Sequence, residues 1–130
     1  MQLDIKKSIR TNNFSDTKIM KKIQNLWSSV SPDIDTSATK YGVYYNYESN
    51  YRGDYTLGIA VEDNAENALS VNDNAHYQIF DVDISTDQGI PDTWRHIWQL
   101  EDIGTLKRAY TIDFEKYLPD GTVKIYIATI

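Results

Sequence analysis

Cysteine is absent from this 130-residue chain, which excludes disulfides, thiolate metal ligands and a cysteine nucleophile. Histidine is scarce. His76 and His96 stand alone, without a second histidine or a carboxylate at a metal-binding spacing, so neither a metal nor a cofactor is expected. Positive charge is in deficit: 13 Lys and Arg against 19 Asp and Glu leave a net charge of −6. Phosphate recognition needs clustered cations, so a direct nucleic-acid partner is not expected. The basic residues near the start (Lys6, Lys7, Arg10, Lys18, Lys21, Lys22) are spread over a strand and a helix and read as a solvated face. No apolar run reaches the length of a membrane span, and the first residues lack the apolar stretch of a signal peptide. The expectation is a cytoplasmic protein with no membrane partner.

The content that remains is that of a folded domain, with 41% hydrophobic and 25% charged residues. The length suits one domain spanning residues 1–130. Its unusual feature is aromatic: ten tyrosines and three tryptophans beside only three phenylalanines. Tyr and Trp pair an apolar body with a polar tip, which suits a half-wet site better than a dry core.

Hydrophobic periodicity orders the chain. Leu3, Ile5 and Ile9 alternate as in a strand, and Ser15 or Asp16 can cap a helix that follows. Ile19, Ile23, Leu26, Trp27 and Val30 then share one helical face, which Ser31-Pro32-Asp33 ends. Tyr41–Tyr47 and Tyr55–Glu62 read as strands around a turn containing Gly53, and polar residues 63–74 link two halves. The same order returns: a strand over His76–Ile84, a helix opened by Gly89-Ile90-Pro91-Asp92 and closed by Gly104, then strands Ala109–Tyr117 and Thr122–Ile130 around Leu118-Pro119-Asp120-Gly121.

The two halves, about 1–62 and 75–130, therefore read as a repeat. Laying Tyr45–Glu62 over Asp113–Ile130 puts Gly53 on Gly121 and Ala60 on Ala128 at an offset of 68, with Tyr47 over Glu115. The helices match at an offset of 71, with Ile23 and Trp27 over Trp94 and Trp98. The expected fold is α+β: duplicated β-α-β-β units forming a curved antiparallel sheet of about eight strands, two main helices and a central cleft, a natural place for a ligand.

Asp113-Phe114-Glu115-Lys116-Tyr117 is the most informative segment. In a strand Phe114 takes one face, and Asp113, Glu115 and Tyr117 the other. If Ile112 and Phe114 pack with Ile125 and Ile127 across the hairpin, the two carboxylates lie near Lys124, Tyr126 and Ala128. Glu115 is then either a solvated charge paired with Lys124 or a desolvated anchor for a cation held among tyrosine rings.

The chain resembles the GyrI-like effector-binding family, which includes the ligand-binding domains of AraC-type and MerR-type multidrug-responsive regulators. The likeness lies in Ser8-Ile9-Arg10-Thr11-Asn12, Ile23-Gln24-Asn25-Leu26-Trp27 and Tyr41-Gly42-Val43-Tyr44 of the first half. In the second half it lies in Thr93-Trp94-Arg95-His96-Ile97-Trp98, in Asp113–Tyr117 and in Val123–Ile127. Among its members the chain is most similar to stand-alone proteins encoded on integron cassettes that bind cationic drugs. The resemblance implies a cleft between pseudo-symmetric halves, with a glutamate on the penultimate strand meeting the ligand's charge. Glu115 matches that glutamate, and Tyr126 matches an aromatic lining residue of drug-binding relatives. Tyr47, Tyr45 (from which Tyr44 faces away), Trp94, Trp98 and Trp27 are candidate walls, although Trp27 and Trp98 read equally well as core.

The expected partner is thus a cationic, hydrophobic small molecule. No helix-turn-helix is expected, because the chain opens and ends on strands, so a regulatory role requires a partner regulator protein or self-association. No catalytic residue is assigned. The alternative enzyme is a small-molecule hydrolase in which Glu115 activates water and a tyrosine positions the substrate, as thought for some relatives. A third class is a protein-interaction module of the gyrase-inhibitor kind.

Overall fold

The computed structural model describes all residues, Met1–Ile130. Strand β1 (Gln2–Thr11) leads to helix α1 (Ile19–Val30), then β2 (Lys40–Tyr45) and β3 (Tyr55–Glu62). A two-residue strand β4 (Leu69–Ser70) lies in the link. The second half runs β5 (Tyr77–Asp81), α2 (Gly89–Asp102), β6 (Asp113–Tyr117) and β7 (Val123–Ala128). Neither helix is long and apolar enough to cross a membrane.

The seven strands form one antiparallel sheet in the order β4-β1-β3-β2-β6-β7-β5, which curls into a half-barrel. Each half places its first strand farthest from the midline and its middle strand at the centre, so β2 and β6 meet along the midline, while β4 pairs outside β1. The repeat units supply six strands and the link supplies β4, which gives seven rather than about eight.

Pairing shows where the two halves differ in length. Tyr44 faces Leu57 in the first hairpin and Glu115 faces Ile125 in the second. An offset of 71 therefore superposes β2 on β6, whereas 68 superposes β3 on β7. The extra residues lie in the first hairpin's turn. Tyr44, not Tyr47, is consequently the counterpart of Glu115.

Both helices cover the concave face. On α1, Leu26 and Val30 are buried against Tyr55, Leu57 and Ile59 of β3. On α2, Ile97 is buried against Ile125 and Ile127 of β7. Each fully buried aliphatic side chain contributes about 1.5–3 kcal/mol. The convex face carries its own cluster, in which Leu3, Tyr41, Val43 and Phe114 pack under Val71 from the link.

Several boundaries differ from the sequence reading: β2 ends at Tyr45 and not Tyr47, β5 spans Tyr77–Asp81 and not His76–Ile84, and β7 is trimmed to Val123–Ala128. Helix α1 starts at Ile19, because Asp16 accepts the Lys18 amide (3.0 Å), the Thr11 hydroxyl (2.7 Å) and the Lys22 ammonium (2.6 Å) in a preceding turn. Strand β6 starts at Asp113 rather than Ala109, because Tyr110 takes a left-handed φ of 55° that no regular strand accommodates.

Candidate functional site

The curled sheet and the two helices leave a cavity of about 540 Å³ between α1 and α2. Its walls are largely aromatic: Trp27 from α1, Trp94 and Trp98 from α2, Tyr44 from β2 and Tyr55 from β3. Trp27 meets Tyr117 edge-on, with centroids 5.1 Å apart, and Trp98 stacks on Tyr51 at 5.3 Å. Neither tryptophan is therefore merely core.

Glu115 lies in this wall, only 4% exposed. Its backbone faces Gly42 on β2 and Ile125 on β7. A Cβ at Gly42 would lie 2.9 Å from Oε1, so the bare glycine leaves room for the carboxylate. Three neutral groups hold it. Tyr44 Oη and Trp94 Nε1 donate to Oε2 at 2.8 and 2.7 Å, and Tyr117 Oη donates to Oε1 at 2.6 Å. Burial pushes the Glu115 pKa up from the ordinary carboxylate value, and these hydrogen bonds oppose the shift. Burial also pushes the hydroxyls of Tyr44 and Tyr117 well above the usual phenol range, so both stay protonated donors.

No lysine or arginine pairs with Glu115. Lys124, one candidate partner, instead pairs with Asp81 at 3.0 Å. Asp113 contrasts with Glu115 although both lie on the same face of β6. It accepts Arg108 Nη2 at 2.8 Å, the Ala128 amide at 2.7 Å and the Tyr47 hydroxyl. Asp113 is thus neutralised from within the chain, and the two carboxylates do not form a matched pair about a bond.

Of the residues singled out in the sequence, Trp27, Tyr47, Trp94, Trp98 and Glu115 line the cavity. Tyr45 and Tyr126 do not, which corrects the expectation for both. Phe114, not Glu115, faces Tyr126 across the β6–β7 hairpin, and their rings stack at 4.6 Å on the convex face. The expected packing of Phe114 with Ile125 and Ile127 was one residue out of register, and such a slip exchanges faces. Tyr45 also packs on the convex side. Tyr47 would share its face in a continuous strand, but Asn46 at φ 51° ends the alternation and returns Tyr47 to the side of Tyr44. His96 is exposed, edge-on to Phe80 at 6.2 Å, away from the cavity.

Tyr44, Tyr51, Tyr55 and Arg108 are cavity residues that the sequence reading did not select. The helix offset of 71, applied to the strands, would have picked out Tyr44. Nothing in the sequence marks Arg108, whose partners are brought to it by the fold.

This arrangement is that of a receptor for a small molecule, and comparison with known proteins agrees. The family model described as "Cass2: Integron-associated effector binding protein" matches residues 5–129. The chain belongs to this family of integron-associated effector-binding proteins. A solved structure, the integron cassette protein VCH_CASS2 from the mobile metagenome of Vibrio cholerae, is similar at a TM-score of 0.74 and 28% identity. The match covers 95% of this chain and 86% of that one. No curated protein matches the chain. Family and geometry together make this a small-molecule binding domain.

Proposed function

We propose that the cavity binds a lipophilic, aromatic cation, with Glu115 as its counter-charge and Tyr44, Trp27, Trp94 and Tyr117 as its walls. The observation that carries this reading is the state of Glu115: a buried carboxylate held by three neutral donors, beside an aspartate that already has its arginine. An unpaired buried charge is costly, and a ligand cation offsets that cost in a way that a neutral ligand does not. Aromatic faces add about 0.5–2 kcal/mol of cation–π attraction. The protein then acts as a sensor or a sequestering protein for such compounds.

Titration with tetraphenylphosphonium, followed by tryptophan fluorescence, tests the reading. Glu115→Gln keeps the shape of the side chain and removes its charge. Affinity is expected to fall by about 2–5 kcal/mol, the usual cost of breaking a buried charge pair. Equal binding by parent and variant would refute the counter-charge.

A further inference from the structure

Arg108 borders the same cavity with its side chain 1% exposed. Its guanidinium carbon is 5.9 Å from the ring centroid of Trp94, whose Nε1 holds Glu115, and 4.4 Å from that of Tyr110. Only Nη2 is used, on Asp113 at 2.8 Å and, more weakly, on the Tyr47 hydroxyl at 3.4 Å. Glu101 Oε1 lies 3.5 Å from Nη1 but outside hydrogen-bonding geometry. Nε is therefore a buried donor without an acceptor, and Nη1 faces only Glu101 Oε1, which is itself buried without a hydrogen bond. Pairing Asp113 requires one edge of the guanidinium and does not account for the rest. Buried donors of this kind are rarely left unmet, because each carries the full cost of its lost hydration.

We infer that Arg108 is a second polar recognition point, and that the preferred ligand carries a neutral acceptor oxygen as well as its positive charge. The inference rests on the cationic-ligand reading above. Asp113, which Arg108 holds, and Glu115 are two residues apart on one strand face, with Cα atoms about 6–7 Å apart, and a probe carrying acceptor and charge at a comparable spacing is the natural first choice. The acceptor is neutral because Asp113 and Glu101 already face the guanidinium, and a third anion would be repelled. A ketone, amide or ether oxygen on an aromatic cation fits this chemistry, and a carboxylate does not.

The test compares two cations that differ in one group: para-benzoylphenyl-trimethylammonium and its para-benzyl analogue, which lacks the carbonyl. The parent protein should bind the ketone about tenfold more tightly, the gain expected of one charge-assisted hydrogen bond. Arg108→Met alone strands Asp113, so the working variant is the double Arg108→Met/Asp113→Asn, with circular dichroism as the check on folding. In it the preference should vanish, the two probes binding equally. Arg108→Lys, which removes the Nε donor but keeps the charge, should shrink the preference and serves where the double variant does not fold. Equal binding of both probes by the parent overturns the role of Arg108 alone, and so does a preference that survives in the variants. Failure of the parent to bind either cation overturns the cationic reading and this inference together.

Discussion

Tyr44 and Glu115 occupy equivalent positions in the two halves of the sheet, and the phenol of one donates to the carboxylate of the other over 2.8 Å. A repeat places like residues on either side of its axis. Here one copy supplies a donor and the other an acceptor, so only one of the two equivalent positions at the midline carries a charge. The asymmetry lies in the two side chains, not in the backbone that presents them.

Tyr44→Phe should therefore weaken the site and the fold together. The bond stabilises the ionised form of Glu115, and its loss lets burial raise that pKa further. Urea denaturation near pH 8 should show a loss of about 1.5–3 kcal/mol, with a smaller loss near pH 4, where the carboxyl is protonated. A loss independent of pH would mean that the tyrosine matters only as packing.

Glu115→Gln should show the opposite sign for stability. The folded-state pKa of Glu115 lies above its unfolded value, with burial as the largest cause. Its contribution to stability is thus fully present below the unfolded pKa and is lost as pH rises through the folded one. Thermal melts of parent and variant should diverge in that window, the variant becoming relatively more stable as pH increases. A constant difference across pH would show that Glu115 titrates as an ordinary surface carboxylate. A variant that is more stable yet binds cations poorly would exhibit the usual opposition between a prepared site and a relaxed fold.

Much of the architecture was legible in the sequence because both halves repeat one hydrophobic pattern. The faces of α1 and α2, the turn at Leu118-Pro119-Asp120-Gly121 and the strand bearing Glu115 follow from periodicity and turn chemistry. The side-chain assignments failed where a single backbone angle or register decides them. Asn46 and Tyr110, both at positive φ, redirect Tyr47 and delay the start of β6; asparagine tolerates the left-handed region, but a tyrosine there is rare. The hairpin register, one residue from the expected one, moved Tyr126 to the convex face and Ile125 beside Glu115. Period-2 structures are fragile to read in this way, since any odd shift inverts every side chain. Arg108 was illegible for another reason: its neighbours Trp94, Glu101 and Asp113 come from α2 and β6 and converge only in the folded chain.

The convex aromatics supply a control for the site. Tyr126→Leu and Tyr45→Leu should leave cation affinity within about twofold of the parent, since neither side chain reaches the cavity. Tyr126→Leu should still lower stability, because it removes a stacked partner of Phe114, an arrangement that contributes about 0.5–1.5 kcal/mol beyond buried area. Calorimetric titration with tetraphenylphosphonium, alongside chemical denaturation, separates the two effects. A tenfold loss of affinity in either variant would place the ligand on the wrong side of the sheet.

Gly42→Ala tests how closely the anchor is fitted. The added methyl would stand 2.9 Å from Glu115 Oε1 and 3.7 Å from Trp27 Cζ2. A free carboxylate would swing aside at little cost, but this one is fixed by Tyr44, Trp94 and Tyr117, so moving it breaks at least one bond. Overpacking of this kind costs about 1–3 kcal/mol. The expected outcome is a lower denaturation midpoint and weaker cation binding. Glu115→Gln should abolish most of the further effect of Gly42→Ala on affinity, because the charge that the methyl displaces is already gone. If the two substitutions are additive in a double-mutant cycle, the glycine serves the strand and not the carboxylate.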